Sequence, residues 1–117
     1  MKAFIFSAVI VICIFALTLA NGSFVQKATA NLIDEAEEMQ INNGGLERVA
    51  SLWHENRFFI SITTAQDEIL KIDDIIAQLK AYEQEGNAGE FSACRALLIE
   101  YLVQIKGDEE LSLNNII

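Results

Sequence analysis

An all-α fold is predicted for this chain: an N-terminal transmembrane helix leading into a small antiparallel three-helix bundle or long helical hairpin. Three observations carry the prediction. None of the 117 residues is proline, so no position lacks the backbone donor that a helix interior needs. Beyond residue 24, apolar residues return every three or four positions, the repeat of a single helix face. The six glycines sit mainly where those stripes stop, as expected of helix ends.

The first element is the run Ala3 to Ala20, which contains no charged side chain. As a helix it spans about 27 Å, just enough for a hydrocarbon core. A secretory signal peptide also starts with a positive residue and an apolar stretch, and Thr18, Leu19 and Ala20 make a passable cleavage site before Asn21. Retention is favoured. The run exceeds an ordinary signal core, its basic region is only Lys2 and the amino terminus, and a helical pattern continues directly behind it. Residues 1–22 are therefore expected to be a signal anchor and residues 23–117 an extracytoplasmic domain. The protein is expected in the cell membrane as a single-pass chain, N-terminus inside and acidic domain outside, and secreted instead if cleaved after Ala20. Lys27 on the far flank weakens the positive-inside signal.

Outside that run, Phe24, Ala28, Leu32, Ala36 and Met39 are predicted to form one helical face, with acids on the remainder. Asn42, Asn43, Gly44 and Gly45 tolerate left-handed backbone and predict the first turn. A second helix begins near Leu46 and carries Val49, Trp53 and Ile60, with Phe58, Phe59 and Ile62 widening its apolar surface. Thr64 and Asp67 have the spacing of a capping box, yet apolar spacing persists through Ile69, Ile72, Ile76 and Leu79. One long helix, kinked at most, is thus expected from Leu46 to the turn at Glu85 to Gly89. Phe91, Cys94, Leu98, Tyr101, Leu102 and Ile105 form a last stripe, expected to stop near Lys106 and Gly107. The apolar residues of the tail, Leu111, Leu113, Ile116 and Ile117, are expected to cover the end of the bundle.

Charge narrows the possible partners. The chain carries 8 Lys and Arg against 17 Asp and Glu, for a net charge of −9, and every acid lies at or after Asp34. A surface of this sign repels phosphate backbones, so nucleic acid is not expected as a partner. Acidic helix faces are also the ordinary covering of soluble helices. Cys13 lies in the apolar run and Cys94 in the outer domain, so the two are not expected to pair. Cys94, with Phe91, Leu97 and Leu98 around it, reads as a small core residue.

The chemistry-bearing residues are few. His54 is the single histidine, and position 51 is serine, so the Glu-x-x-His element of carboxylate-bridged bundles is missing. Asp67, Glu68, Asp73 and Asp74 share part of a face, without the glycine-centred oxygen loop of a calcium site. No serine elbow, phosphate loop or cysteine–histidine pair is evident. The expectation is a non-enzyme with no cofactor and no metal, meeting another membrane or envelope protein, with a homo-oligomer also open. Trp53, Phe58 and Phe59 are the candidate partner contacts, against the ordinary alternative that aromatics at helical spacing are core. The rival functional reading is a secreted or anchored binder of a cation or small ligand, using the acids of residues 67–74 or the region of Trp53.

Several segments resemble an uncharacterised family of small bacterial proteins, known as a domain of unknown function from Gram-positive bacteria. The resemblance covers roughly residues 45–117. It rests on Trp53, on Asp67-Glu68-Ile69 leading to Ile72-Asp73, on Leu79-Lys80-Ala81-Tyr82, and on the ending Leu111-Ser112-Leu113-Asn114-Asn115-Ile116-Ile117. It implies an N-terminal anchor and a compact helical body with no assigned activity. Members often have histidine before the acidic stretch, where this chain has Ala65-Gln66.

Overall fold

The computed structural model describes the backbone of residues 2–116 and the side chains of residues 2–17 and 24–108. Among these there are four helices, α1 (Lys2–Glu38), α2 (Gly45–Thr63), α3 (Gln66–Glu85) and α4 (Ala88–Ile116), and no strand. Cross-helix contacts fix their directions. Glu35 meets Arg48 across α1 and α2, Trp53 meets Asp73 across α2 and α3, and Cys94 meets Gln78 across α3 and α4. Arg95 of α4 returns to the carbonyl of Met39. Every neighbouring pair is antiparallel and α4 closes against α1, giving an up-down-up-down bundle.

Each helix contributes one stripe to a single core. Val25, Leu32 and Ala36 come from α1, Met39 from the turn just after it, and Leu46, Val49, Trp53 and Ile60 from α2. Ile69, Ile72, Ile75, Ile76 and Leu79 come from α3, and Phe91, Cys94, Leu98, Leu102 and Ile105 from α4. Only the second half of α1 takes part. Its first half, Lys2 to Leu17, is exposed throughout, so a 37-residue helix projects from the bundle as an arm and the molecule measures 67 × 22 × 22 Å.

The ends of the helices follow from local chemistry. Between α1 and α2, Asn42 at φ 62° and Gly44 at φ 79° turn the chain. Asn43 secures this turn. Its Oδ1 accepts from the Gln40 and Gly45 amides, and its Nδ2 donates to the Glu38 carbonyl, satisfying groups that a helix terminus leaves open. Between α3 and α4, Gly86 sits at φ 69° and the Asn87 amide donates to the Tyr82 carbonyl at 3.0 Å, a Schellman closure. The Asn87 side chain then accepts the Glu90 amide at the start of α4.

Three expectations change. The long second helix is two helices, because Thr64 (ψ 142°) and Ala65 (ψ 140°) are extended and reverse the chain. The body is thus built from four helices rather than three. The run Ile60 to Thr64 has weak helix propensity, and an apolar stripe that continues in sequence is just as compatible with folding back on itself. The start of α3 lacks a Thr64 cap, since Ala65 occupies the cap position without a side-chain bond. Next, α4 passes through Gly107 to Ile116, because Gly107 keeps a helical backbone while Gly44 and Gly86 take the left-handed one. The side chains of Leu111, Leu113, Ile116 and Ile117, expected to cover the bundle end, lie outside the described residues. Finally, Phe24 is not on the core face of α1. Val25 takes that place at 0% exposure.

No helix among the described residues is long and apolar enough to cross a membrane. The expected span Ala3 to Ala20 ends in Thr18, Leu19 and Ala20, whose side chains lie outside the described residues.

Two glycines give opposite predictions. A Cβ on Gly45 would stand 2.8 Å from the Cα of Met39, backbone that cannot step aside, so Gly45→Ala should cost about 1–3 kcal/mol. Gly107 faces open space within α4, and Gly107→Ala should gain up to about 1 kcal/mol from helix propensity alone. Denaturation curves of the two variants beside the parent protein check both signs.

Candidate functional site

The residues singled out from sequence separate into two groups with different roles. On α2, Ile60 is the core position at 0% exposure. Helical geometry sends its neighbours in sequence away from it, which leaves Phe58, Phe59 and Ile62 outside. Phe59 meets Phe24 of α1 edge to face, with ring centroids 5.2 Å apart, and Phe58 meets Phe59 at 5.6 Å. The contacts shield little of their surface: Phe24 is 46% exposed, Phe58 68%, Phe59 43% and Ile62 58%. Together these four side chains form an apolar patch at the base of the arm, beside the joint between α2 and α3.

Trp53 does not belong to this patch. It is 4% exposed and its indole Nε1–H donates to Asp73 Oδ1 at 2.7 Å. Arg57, one turn further along α2, grips the same carboxylate with Nε at 3.0 and 3.1 Å and Nη2 at 2.7 Å. A two-pronged guanidinium on a carboxylate is among the stronger polar contacts available to a protein. The Arg57 hydrogen bonds hold the Asp73 carboxyl below its usual range, and the Trp53 bond adds to this against partial burial. The Arg57 guanidinium is stabilised in turn by the Asp73 hydrogen bond. Of the three candidate partner contacts, Phe58 and Phe59 are thus exposed, whereas Trp53 is a core residue with a satisfied donor, the ordinary alternative for an aromatic at helical spacing.

The acidic face is also divided. Asp67 and Asp74 are exposed, Glu68 is half-buried, and Asp73 is held by Arg57 and Trp53. Among the described residues no three His, Cys, Asp or Glu side chains gather as a metal would need. His54 is exposed and shares a shallow groove between α2 and α3 with Ala50, Asp73 and Lys80. Cys94 is buried, as its sequence setting implied, and desolvation, followed by the nearby charge of Glu90, pushes its thiol up. A thiol of that kind is unreactive.

Sequence reasoning put Phe24 on the core face, and it grouped Ile62 with Phe58 and Phe59 as apolar surface without naming it a candidate contact. The signal for Phe24 was its position just beyond the apolar run and one residue before Val25. Two phases of the same stripe fit the pattern, and only packing selects between them.

Compared with known proteins, residues 22–116 match the family model described as a domain of unknown function (DUF4363). The matched region begins after the uncharged run and contains the whole bundle. No curated protein and no solved structure matches the chain.

The Asp73 contacts give a pH prediction. A carboxyl whose folded pKa is depressed contributes stability that is fully present above the ordinary aspartate value of about 4 and is lost as pH falls through the folded value. At neutral pH, Asp73→Asn should cost about 1–2 kcal/mol, a modest figure because the Arg57 pair is partly solvated. Below the folded pKa the parent protein and the variant should converge in stability. A gap that stays constant down to pH 2, in melts taken across the acid range, would contradict this account of Asp73.

Proposed function

The chain belongs to the family of the DUF4363 domain, and we propose that it is a membrane-anchored, non-catalytic interaction module of the cell envelope. In this reading the N-terminal half of α1 is retained as a single-pass anchor with the amino terminus inside. The bundle stands outside and meets another membrane or envelope protein.

The observation that carries the reading is the double membership of α1. One continuous helix runs from Lys2 to Glu38. Its far half packs into the core, while its near half exposes Phe4, Ile5, Phe6, Val11, Ile12 and Leu17 at half or more of their surface. A stretch this apolar, uncharged from Ala3 onward, is costly to hold in water. Placing it in lipid removes the cost, and α1 then transmits the position of the anchor to the bundle without a linker. The apolar run also fits a signal peptide, and cleavage after Ala20 would leave the core stripe from Val25 onward intact. The family match beginning at residue 22 fits both outcomes, so the mature mass is the decisive quantity.

The non-catalytic part rests on the distribution of polar groups. The strongest polar contact, at Asp73, ties α2 to α3. The buried thiol of Cys94 is unreactive, and His54 stands on the surface beside Lys80. The outer faces of the bundle instead present charged helices of net acidic character, which suit a partner with basic surface groups.

Intact-mass measurement on fractionated cells tests the anchor. The expected result is the full-length mass, confined to membranes and resistant to alkaline extraction. A mass beginning at Asn21 and found in the medium would overturn it. For the partner, a photo-crosslinking residue at the exposed positions Glu47 or Glu100 should capture one defined membrane or envelope protein, and capture no different from that of an unrelated anchored helix would remove the interaction reading.

A further inference from the structure

The patch of Phe24, Phe58, Phe59 and Ile62 is the largest feature that neither the core nor the arm explains. Three of its four members come from α2, which has no covalent need to be apolar there. Phe58 is more than two-thirds exposed, and its neighbour Phe59 is already in edge-to-face contact with Phe24. Such a patch is normally covered by something.

Its height on the molecule is fixed by α1. Phe24 lies four residues beyond Ala20, where the apolar run gives way to Asn21-Gly22-Ser23, and at the helical rise that places it about 6 Å along the axis from that end. Phe59 is held at the same level by its contact with Phe24, and Phe58 by its contact with Phe59. Ile62 lies one turn along α2 toward the α2–α3 joint, on the arm side of the two rings. If the uncharged run fills the hydrocarbon core, all four side chains must stand at the boundary between acyl chains and headgroups. Aromatic side chains favour that zone.

We propose that this patch is a lipid-docking collar: Phe24, Phe58, Phe59 and Ile62 insert at the bilayer interface beside the anchor and seat the bundle against the membrane. The inference rests on the anchor reading and deepens it. A single helix leaves a domain free to swivel about its point of exit. A second apolar contact, displaced from α1 by one helix diameter, removes that freedom and gives the bundle one orientation. In sequence the collar residues are flanked by charges of both signs, Lys27 after Phe24, Arg57 before Phe58, and Asp67 and Glu68 after Ile62, so the attraction is assigned to the apolar side chains and should depend weakly on salt.

Site-directed spin labelling of the full chain in vesicles of phosphatidylethanolamine and phosphatidylglycerol tests the collar. One label replaces Phe58, as Phe58→Cys in a Cys13→Ala, Cys94→Ala background. A second sits on Gln84→Cys in the same background, at the opposite end of the bundle, and a third uses the native, exposed Cys13 in Cys94→Ala. Phe58 is exposed, so its replacement leaves the fold intact. The expected result is a deep arm label and a Phe58 label with several-fold higher oxygen and several-fold lower nickel-chelate accessibility than the Gln84 label.

A deep arm label with a Phe58 label as water-accessible as that at Gln84 would overturn the collar and leave the anchor standing. A Phe58 label shielded from both reagents would mean that protein, either a partner or a second copy, covers the patch, and would overturn the lipid assignment. An arm label in water would end the anchor reading, and the collar with it.

Discussion

The structure depends on α1 being one continuous helix, part of it inside the bundle and part outside. From Val25 to Ala36 its buried face is one wall of the core, and from Lys2 to Leu17 its side chains are exposed. A helix cannot shift register in one half without moving the other. The position of α1 therefore dictates that of its neighbours, through contacts spaced along the bundle. Phe24 sets Phe59, Glu35 sets Arg48 and Met39 sets Arg95. The remaining pair, α2 and α3, is aligned by Asp73, which takes Trp53 and Arg57 from the same face of α2.

Much of this was legible in the sequence, because it depends on periodicity. The core stripes of α3 and α4 are those that the spacing predicts, and the Asn-Gly and Glu-Gly-Asn turns fall where left-handed backbone is needed. What was not legible depends on contacts distant in sequence. A stripe from Val49 to Leu79 is satisfied equally by one long helix and by two that fold back on each other, since both bury the same residues. The decision at Thr64 and Ala65 lies in whether Trp53 and Arg57 find Asp73, 20 and 16 residues away. The same distance explains why Trp53 was grouped with Phe58 and Phe59. Aromatic type and helical spacing are shared, and the difference is a donor partner on another helix. Gly107 was misread for a related reason. Glycine permits a helix to end but does not require it, and the left-handed backbone that ends α3 at Gly86 is absent at Gly107.

The antiparallel topology also gives the bundle two unlike ends. The α1–α2 and α3–α4 turns lie together at the far end, where exposed Gln40, Asn42, Glu85 and Asn87 present amides and carboxylates. This end is held by directed polar bonds: Glu83 accepts the Asn42 amide at 3.2 Å and Arg95 donates to the Met39 carbonyl at 3.0 Å. The near end holds the short α2–α3 joint, the C-terminal part of α4 and the exit of the arm, and the patch of phenylalanines and Ile62 lies on its surface. The two ends thus differ in kind, directed polar bonds at one and exposed apolar side chains at the other. Replacing Phe58 or Ile62 by a polar residue would cost the core little, because Ile60 supplies the buried contact at that level. The apolar character of these positions is therefore not demanded by the core, and the antiparallel course of α2 against α1 puts them at the end of the bundle from which the arm projects.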